Sequence, residues 1–125
     1  MNALDLARTA YATPGTPVRS GRSTEYDLFA RITRRLREAT AGTGKASPPL
    51  VQALHDNQSL WTTLAVDVAD DGNGLPRELR ARLFYLAEFT REHTRRVLKG
   101  EASAGVLVDI NTAVMRGLAA RDGAG

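Results

Sequence analysis

Apolar residues recur along this chain at the three- and four-residue spacing of a helix face, and no stretch sustains the alternation of a strand. Clusters of Pro, Gly, Ser and Asp cut the pattern into five helical segments. The first, about residues 2–12, puts Leu4, Ala7 and Tyr11 on one side. A helix so short is marginal alone and must dock or fray. The loop "TPGTPVRSGR" follows, broken by Pro14, Gly15, Pro17 and Gly21. The second segment opens at Ser23 or Thr24, either a good N-cap. Its stripe is Leu28, Phe29, Ile32, Leu36 and Ala39, with Asp27 and Arg31 spaced as an i,i+4 pair of opposite charge outside it.

The third segment begins at Ser47, with Pro48 at the favoured first helical position. Leu50, Leu54, Trp61, Leu64, Ala65 and Val68 form its stripe, and Asn57 falls inside it. "DDGNG" stops it. The fourth runs from Pro76 to Lys99, with Gly100 as its C-terminal stop. Leu79, Leu83, Leu86, Thr90 and Val97 share a face, while Phe84, Tyr85 and Phe89 point elsewhere. Its middle is therefore apolar on most sides, which predicts a central position. The fifth runs from about Ser103 to Ala120. The expected fold class is all-α: a small bundle of three long helices plus two supporting helices, in a single domain over residues 1–125. Residues 1–22 are expected to form a short helix and loop, and residues 122–125 a flexible tail.

The fifth segment raises the sharpest question. Leu107, Ile110, Val114 and Leu118 make a tight stripe, and Asn111 sits at its edge. Val108, Met115 and Ala104 lie beyond Asn111; Val106, Ala113 and Gly117 lie on the other flank. Only Asp109, Thr112 and Arg116 are left as a polar side, so the apolar arc covers roughly 280°. A helix that apolar must be covered on two sides. The stripe Leu107, Ile110, Val114 and Leu118 is expected to pack inward, and Val108, Asn111 and Met115 to lie at or near a seam with a partner. The Asn111 amide needs bonds, at a cost of about 1–3 kcal/mol if buried without them. Asn57 has the same need. The two amides either bond between helices and fix their register, or Asn111 meets the partner.

Composition adds exclusions. The chain has 125 residues, 42% of them hydrophobic and 25% charged, an ordinary composition for a folded domain able to bury a core. It has no cysteine, which removes disulfides, thiol catalysis and cysteine zinc sites. No apolar run approaches the roughly 20 residues of a membrane span, and "MNALDLARTAYA" lacks the apolar run of a secretory signal. A cytoplasmic location is the expectation, with no membrane partner. Charge is uneven: residues 1–47 carry +4, residues 48–75 carry −4 and residues 76–125 carry +3. Two arginine-rich faces stand out, Arg31, Arg34, Arg35 and Arg37 on the second segment and Arg91, Arg95, Arg96 and Lys99 on the fourth. Arg31, Arg34, Arg35, Arg91 and Arg95 are the residues through which RNA would be touched. Asp27, Glu38, Glu88 and Glu92 dilute both faces, and no aromatics interleave as stacking platforms.

Motifs with chemistry stop short. "GTGKAS", residues 42–47, has the Gly-Lys of a phosphate loop, but Lys45 is followed by Ala46 and no strand precedes it. "DVADDGNGLPRE", residues 67–78, has Asp67, Asp71, Gly72 and Glu78 where a calcium loop needs them, but Ala69 stands at the third position and Pro76 restarts the helix too early. A helix–helix turn is the expectation. His55 and His93 are not spaced as a metal pair, and His93 shares the apolar stripe of Thr90 and Val97, as a bonded, partly buried histidine would. No nucleophile is accompanied by a base. No cofactor, metal, small-molecule substrate or enzymatic activity is expected.

"LVQALHDNQSLW" (residues 50–61), "LFYLAEFTREHTRRVL" (residues 83–98) and above all "VDINTAVMRGL" (residues 108–118) resemble the FlaF family of flagellar biosynthesis regulators in alphaproteobacteria. "ALDLARTAYA" and "RSTEYDLFARIT" fit as well, so the resemblance covers nearly the whole chain. It departs mainly in the 42–47 loop and the glycine-rich tail. The resemblance implies a cytoplasmic protein needed for flagellin production or export, acting with a second regulator, FlbT, which restrains flagellin translation through the flagellin message. It also implies a role similar to that of helical flagellin export chaperones. Flagellin is the expected partner, FlbT a further one, and contact with flagellin mRNA the alternative function.

Overall fold

The computed structural model describes the backbone of residues 21–41 and 47–124, and the side chains of residues 26–41 and 47–117. Four helices account for nearly all of it: α1 (Gly21–Thr40), α2 (Pro48–Ala69), α3 (Arg77–Leu98) and α4 (Gly105–Ala124). No strand occurs among the described residues. The helices have 20 to 22 residues each, so the expected division into three long and two supporting helices does not hold. The segment at residues 2–12 and the "GTGKA" of the 42–46 loop lie outside the described residues.

Local chemistry sets the ends. The Ser47 hydroxyl accepts the Leu50 N–H at 3.3 Å, with Pro48 opening α2 as the sequence predicted. At the other end of α3, Gly100 takes φ +77°, a left-handed conformation that glycine adopts without strain, and the Glu101 N–H reaches the Arg96 carbonyl at 2.9 Å. The Ser103 hydroxyl then accepts the Gly105 N–H at 3.0 Å at the start of α4. Two expected ends move. α1 is already helical at Gly21, so Ser23 and Thr24 stand within the helix and not at its cap. α4 continues through Ala124, beyond the expected end at Ala120, so residues 122–124 are helical where a tail was expected.

Short connections place neighbouring helices antiparallel, in the ring order α4, α1, α2, α3. Two clusters of side chains fill the interior. One joins Leu28, Phe29 and Ile32 of α1 to Trp61, Leu64 and Val68 of α2 and Ala87 of α3, with the Phe29 and Trp61 rings edge to face at 6.0 Å. The other joins Leu36, Leu50, Leu54, Val97 and Leu107. α3 is not central, as its apolar girth suggested. It packs chiefly on α2, and among the described residues only α2 and α4 flank it; Phe84, Tyr85 and Phe89 are exposed. Along the ring, α3 and α4 make the sparsest contact of the four neighbouring pairs.

Candidate functional site

Asn111 sets the orientation of α4. Its side chain is 0% exposed, and both ends of the amide are bonded across helices. Oδ1 accepts the indole N–H of Trp61 at 2.9 Å. Nδ2 donates to Oγ1 of Thr33 at 3.1 Å and to Oδ1 of Asn57 at 2.7 Å. One amide thus ties α4 to α1 and α2. Of the two readings open in the sequence, the bond between helices is the one observed, and Asn57 is its counterpart. Asn111, expected at or near a partner seam, is enclosed within the bundle.

That bond network corrects the inward and outward faces of α4. The buried line runs through Ala104, Leu107 and Asn111, spaced three and four residues apart. Val108 and Met115, expected at a seam, flank this line and pack partly against the two interior clusters. Of the expected inward stripe only Leu107 is fully buried. Ile110 and Val114 are half-buried and lean on the cluster that holds Ala87, while the Leu118 side chain lies outside the described residues. The physical cause is that three hydrogen bonds to Asn111 outweigh the small difference in apolar burial between neighbouring rotations of a helix that is apolar nearly all round. The flank left uncovered is the one carrying Val106, Ala113 and Gly117.

The opposite wall belongs to α3. His93 is buried, its Nε2 lies 2.7 Å from the Ser103 carbonyl just ahead of α4, and Phe89 stacks on its ring at 5.5 Å. Phe89 therefore stands on the α4 side of α3, where it remains 39% exposed, with Leu86 half-buried one turn away. Leu86 and Phe89 thus border the sparse α3–α4 seam on the α3 side, while on α4 Ile110 and Val114 are half-buried and Ala113 is exposed. The sequence offered a signal for these residues, since Phe89 fell off the apolar stripe of its helix and Ala113 lay on the flank away from Asn111. What it lacked was the direction in which α4 turns.

The remaining candidates fall into place. Arg31, Arg34, Arg35, Arg91 and Arg95 are all exposed, on α1 and α3. Arg35 lies 3.7 Å from Asp56 and Arg95 lies 3.7 Å from Glu92. In the 67–78 turn the polar groups serve the turn itself. Asp67 accepts the Asn73 amide, Asp70 the Gly72 N–H at 3.0 Å, and Asn73 the Leu75 N–H at 2.9 Å. Arg80 clamps the turn from α3, donating to the carbonyls of Val68 at 2.9 Å and Asp70 at 2.7 Å, with Asp71 at 3.8 Å. Among the described residues no group of three metal-ligating side chains forms, and no helix is long and apolar enough to cross a membrane.

Compared with known proteins, the chain matches the family model of flagellar protein FlaF over residues 7–118. No curated protein and no solved structure matches it.

Proposed function

The chain belongs to the FlaF family of flagellar proteins, and on that premise we propose that it binds flagellin and couples flagellin synthesis to secretion, as an export chaperone or assembly regulator with no catalysis of its own. The observation that carries this reading is the α3–α4 seam. α4 is held in place by the Asn111 amide, yet it leaves Ile110 and Val114 half-covered and Ala113 exposed, and across the sparse contact with α3 Leu86 is half-covered and Phe89 exposed. An amphipathic helix laid into that seam would cover apolar surface on both walls, the usual way a helical client is held. The seat is then the flank of Ile110 and Ala113, not that of Val108, Asn111 and Met115. It lies in the cytoplasm, where flagellin is made, and FlbT is a further partner.

A second reading has its own observation: the exposed arginines of α1 and α3 suit contact with flagellin mRNA, alone or with FlbT. Capture of flagellin by the purified chain, with and without nuclease, separates the two. Flagellin retained after digestion supports the chaperone. Flagellin lost on digestion, with binding that falls steeply with salt and is weakened by Arg34→Ala plus Arg35→Ala, supports the RNA reading. Ala113→Arg tests the seat itself. Ala113 is exposed, so the melting temperature is expected to hold while capture is lost; capture equal to that of the parent refutes the seat.

A further inference from the structure

The other flank of α3 carries a second apolar surface. Between α2 and α3 runs an open groove of about 410 Å³, floored by Trp61, Ala65 and Ala87 and rimmed by Val66 and Phe84. Val66 is 67% exposed and Phe84 43%, with Tyr85 beside it at 67%. Two charges border the groove, Glu88 and Arg91. They stand three residues apart on one helix face, yet neither has an ion-pair or hydrogen-bond partner among the described residues, whereas Glu92 and Arg95 next to them are 3.7 Å apart. A groove whose apolar floor is bracketed by one unpaired acid and one unpaired base fits a partner that presents the same two charges in reverse order.

We propose that this partner is a second copy of the chain, seated by antiparallel pairing of α3 with its own twin. A two-fold axis passing between positions 89 and 90 sets Glu88 of each copy against Arg91 of the other, so both charges are answered twice by one operation. The same operation sets Phe84 opposite Arg95, a cation over an aromatic face. Val66, on the rim beside Phe84, is covered in the same contact. The groove lies on the flank of α3 away from α4, so this association and the flagellin reading do not depend on each other.

Sedimentation velocity of the full chain over a concentration series is the test. A monomer–dimer equilibrium is expected. Glu88→Arg turns both charge contacts into like-charged ones and should raise the dimer dissociation constant by roughly tenfold or more. Glu88→Arg combined with Arg91→Glu restores the complementarity and should restore the dimer. Phe84→Glu should abolish it. These side chains are exposed, and a parent-like circular-dichroism spectrum with a cooperative melt confirms that each variant is folded. A monomer at every concentration overturns the proposal, as does a dimer indifferent to Glu88→Arg. A monomer whose flagellin capture is lost in Glu88→Arg assigns the groove to the client and overturns it too.

Discussion

Replacing Asn111 by Ala removes a side chain that satisfies three others. The Trp61 indole N–H loses its acceptor, the Asn57 carbonyl oxygen its donor, and the Thr33 hydroxyl one partner. Thr33 sits inside α1, so its hydroxyl can turn to the carbonyl one turn back and is spared. Trp61 and Asn57 are both 0% exposed, and water cannot replace what they lose without entering the core. Asn57 Nδ2 already has no partner among the described residues, so its whole amide would be stranded. Two stranded groups at about 1–3 kcal/mol each predict a loss of roughly 2–6 kcal/mol. That is a large part of the roughly 5–15 kcal/mol that holds a domain of ordinary stability. At a few degrees per kcal/mol for a chain of this size, the melting temperature should fall by on the order of 10–20 °C. Met115→Ala is the comparison, since Met115 is half-buried on the same helix and truncation there strands no polar group. Urea denaturation followed by both circular dichroism and Trp61 emission measures the two variants. An Asn111→Ala protein within about 1 kcal/mol of the parent, or no less stable than Met115→Ala, would refute the bonded core amide as the anchor of α4.

Two further outcomes follow from the turns. Arg80→Gln frees the Val68 and Asp70 carbonyls from the clamp and should cost about 1–3 kcal/mol in thermal unfolding; calorimetric titration of the parent with calcium should give no saturable micromolar isotherm, because the carboxylates of that turn already serve Asn73 and Gly72. Gly100→Ala forces a Cβ into a left-handed residue and should cost about 1–2 kcal/mol, read as an earlier melt, although nothing lies within 4 Å of the added atom; an unchanged melt would refute the conformational cost.

The sequence was most legible where one residue type has one use. Ser47 before Pro48 marked the start of α2, and Gly100 the end of α3, because capping and left-handed backbone admit few residues. Asn57 and Asn111 were legible as a pair, since each lay in an apolar stripe and a buried amide needs a partner. The facing of α4 was not. Its apolar arc admits several rotations of nearly equal burial, and what selects among them is a bond to Trp61 from 50 residues away. α3 misled for the same reason. Phe84, Tyr85 and Phe89 widened its apolar girth, and girth alone cannot tell a helix enclosed by neighbours from one with a surface to offer.

The Thr33–Asn111 bond has a consequence for the order in which the bundle is made. It joins residues 78 apart in the chain, whereas α2 and α3 follow one another through a tight turn. Contacts close in sequence form first, because closing a long loop costs entropy before any contact rewards it. The α2–α3 hairpin is therefore the early structure, and α4 docks last. On a ribosome the sequence of events is stricter still, since α4 emerges after α1, α2 and α3. Until then α3 has no wall opposite Phe89, and the Trp61 indole N–H has no acceptor. A chain whose α4 has not yet emerged thus lacks the seam altogether, and with it the seat proposed for a client.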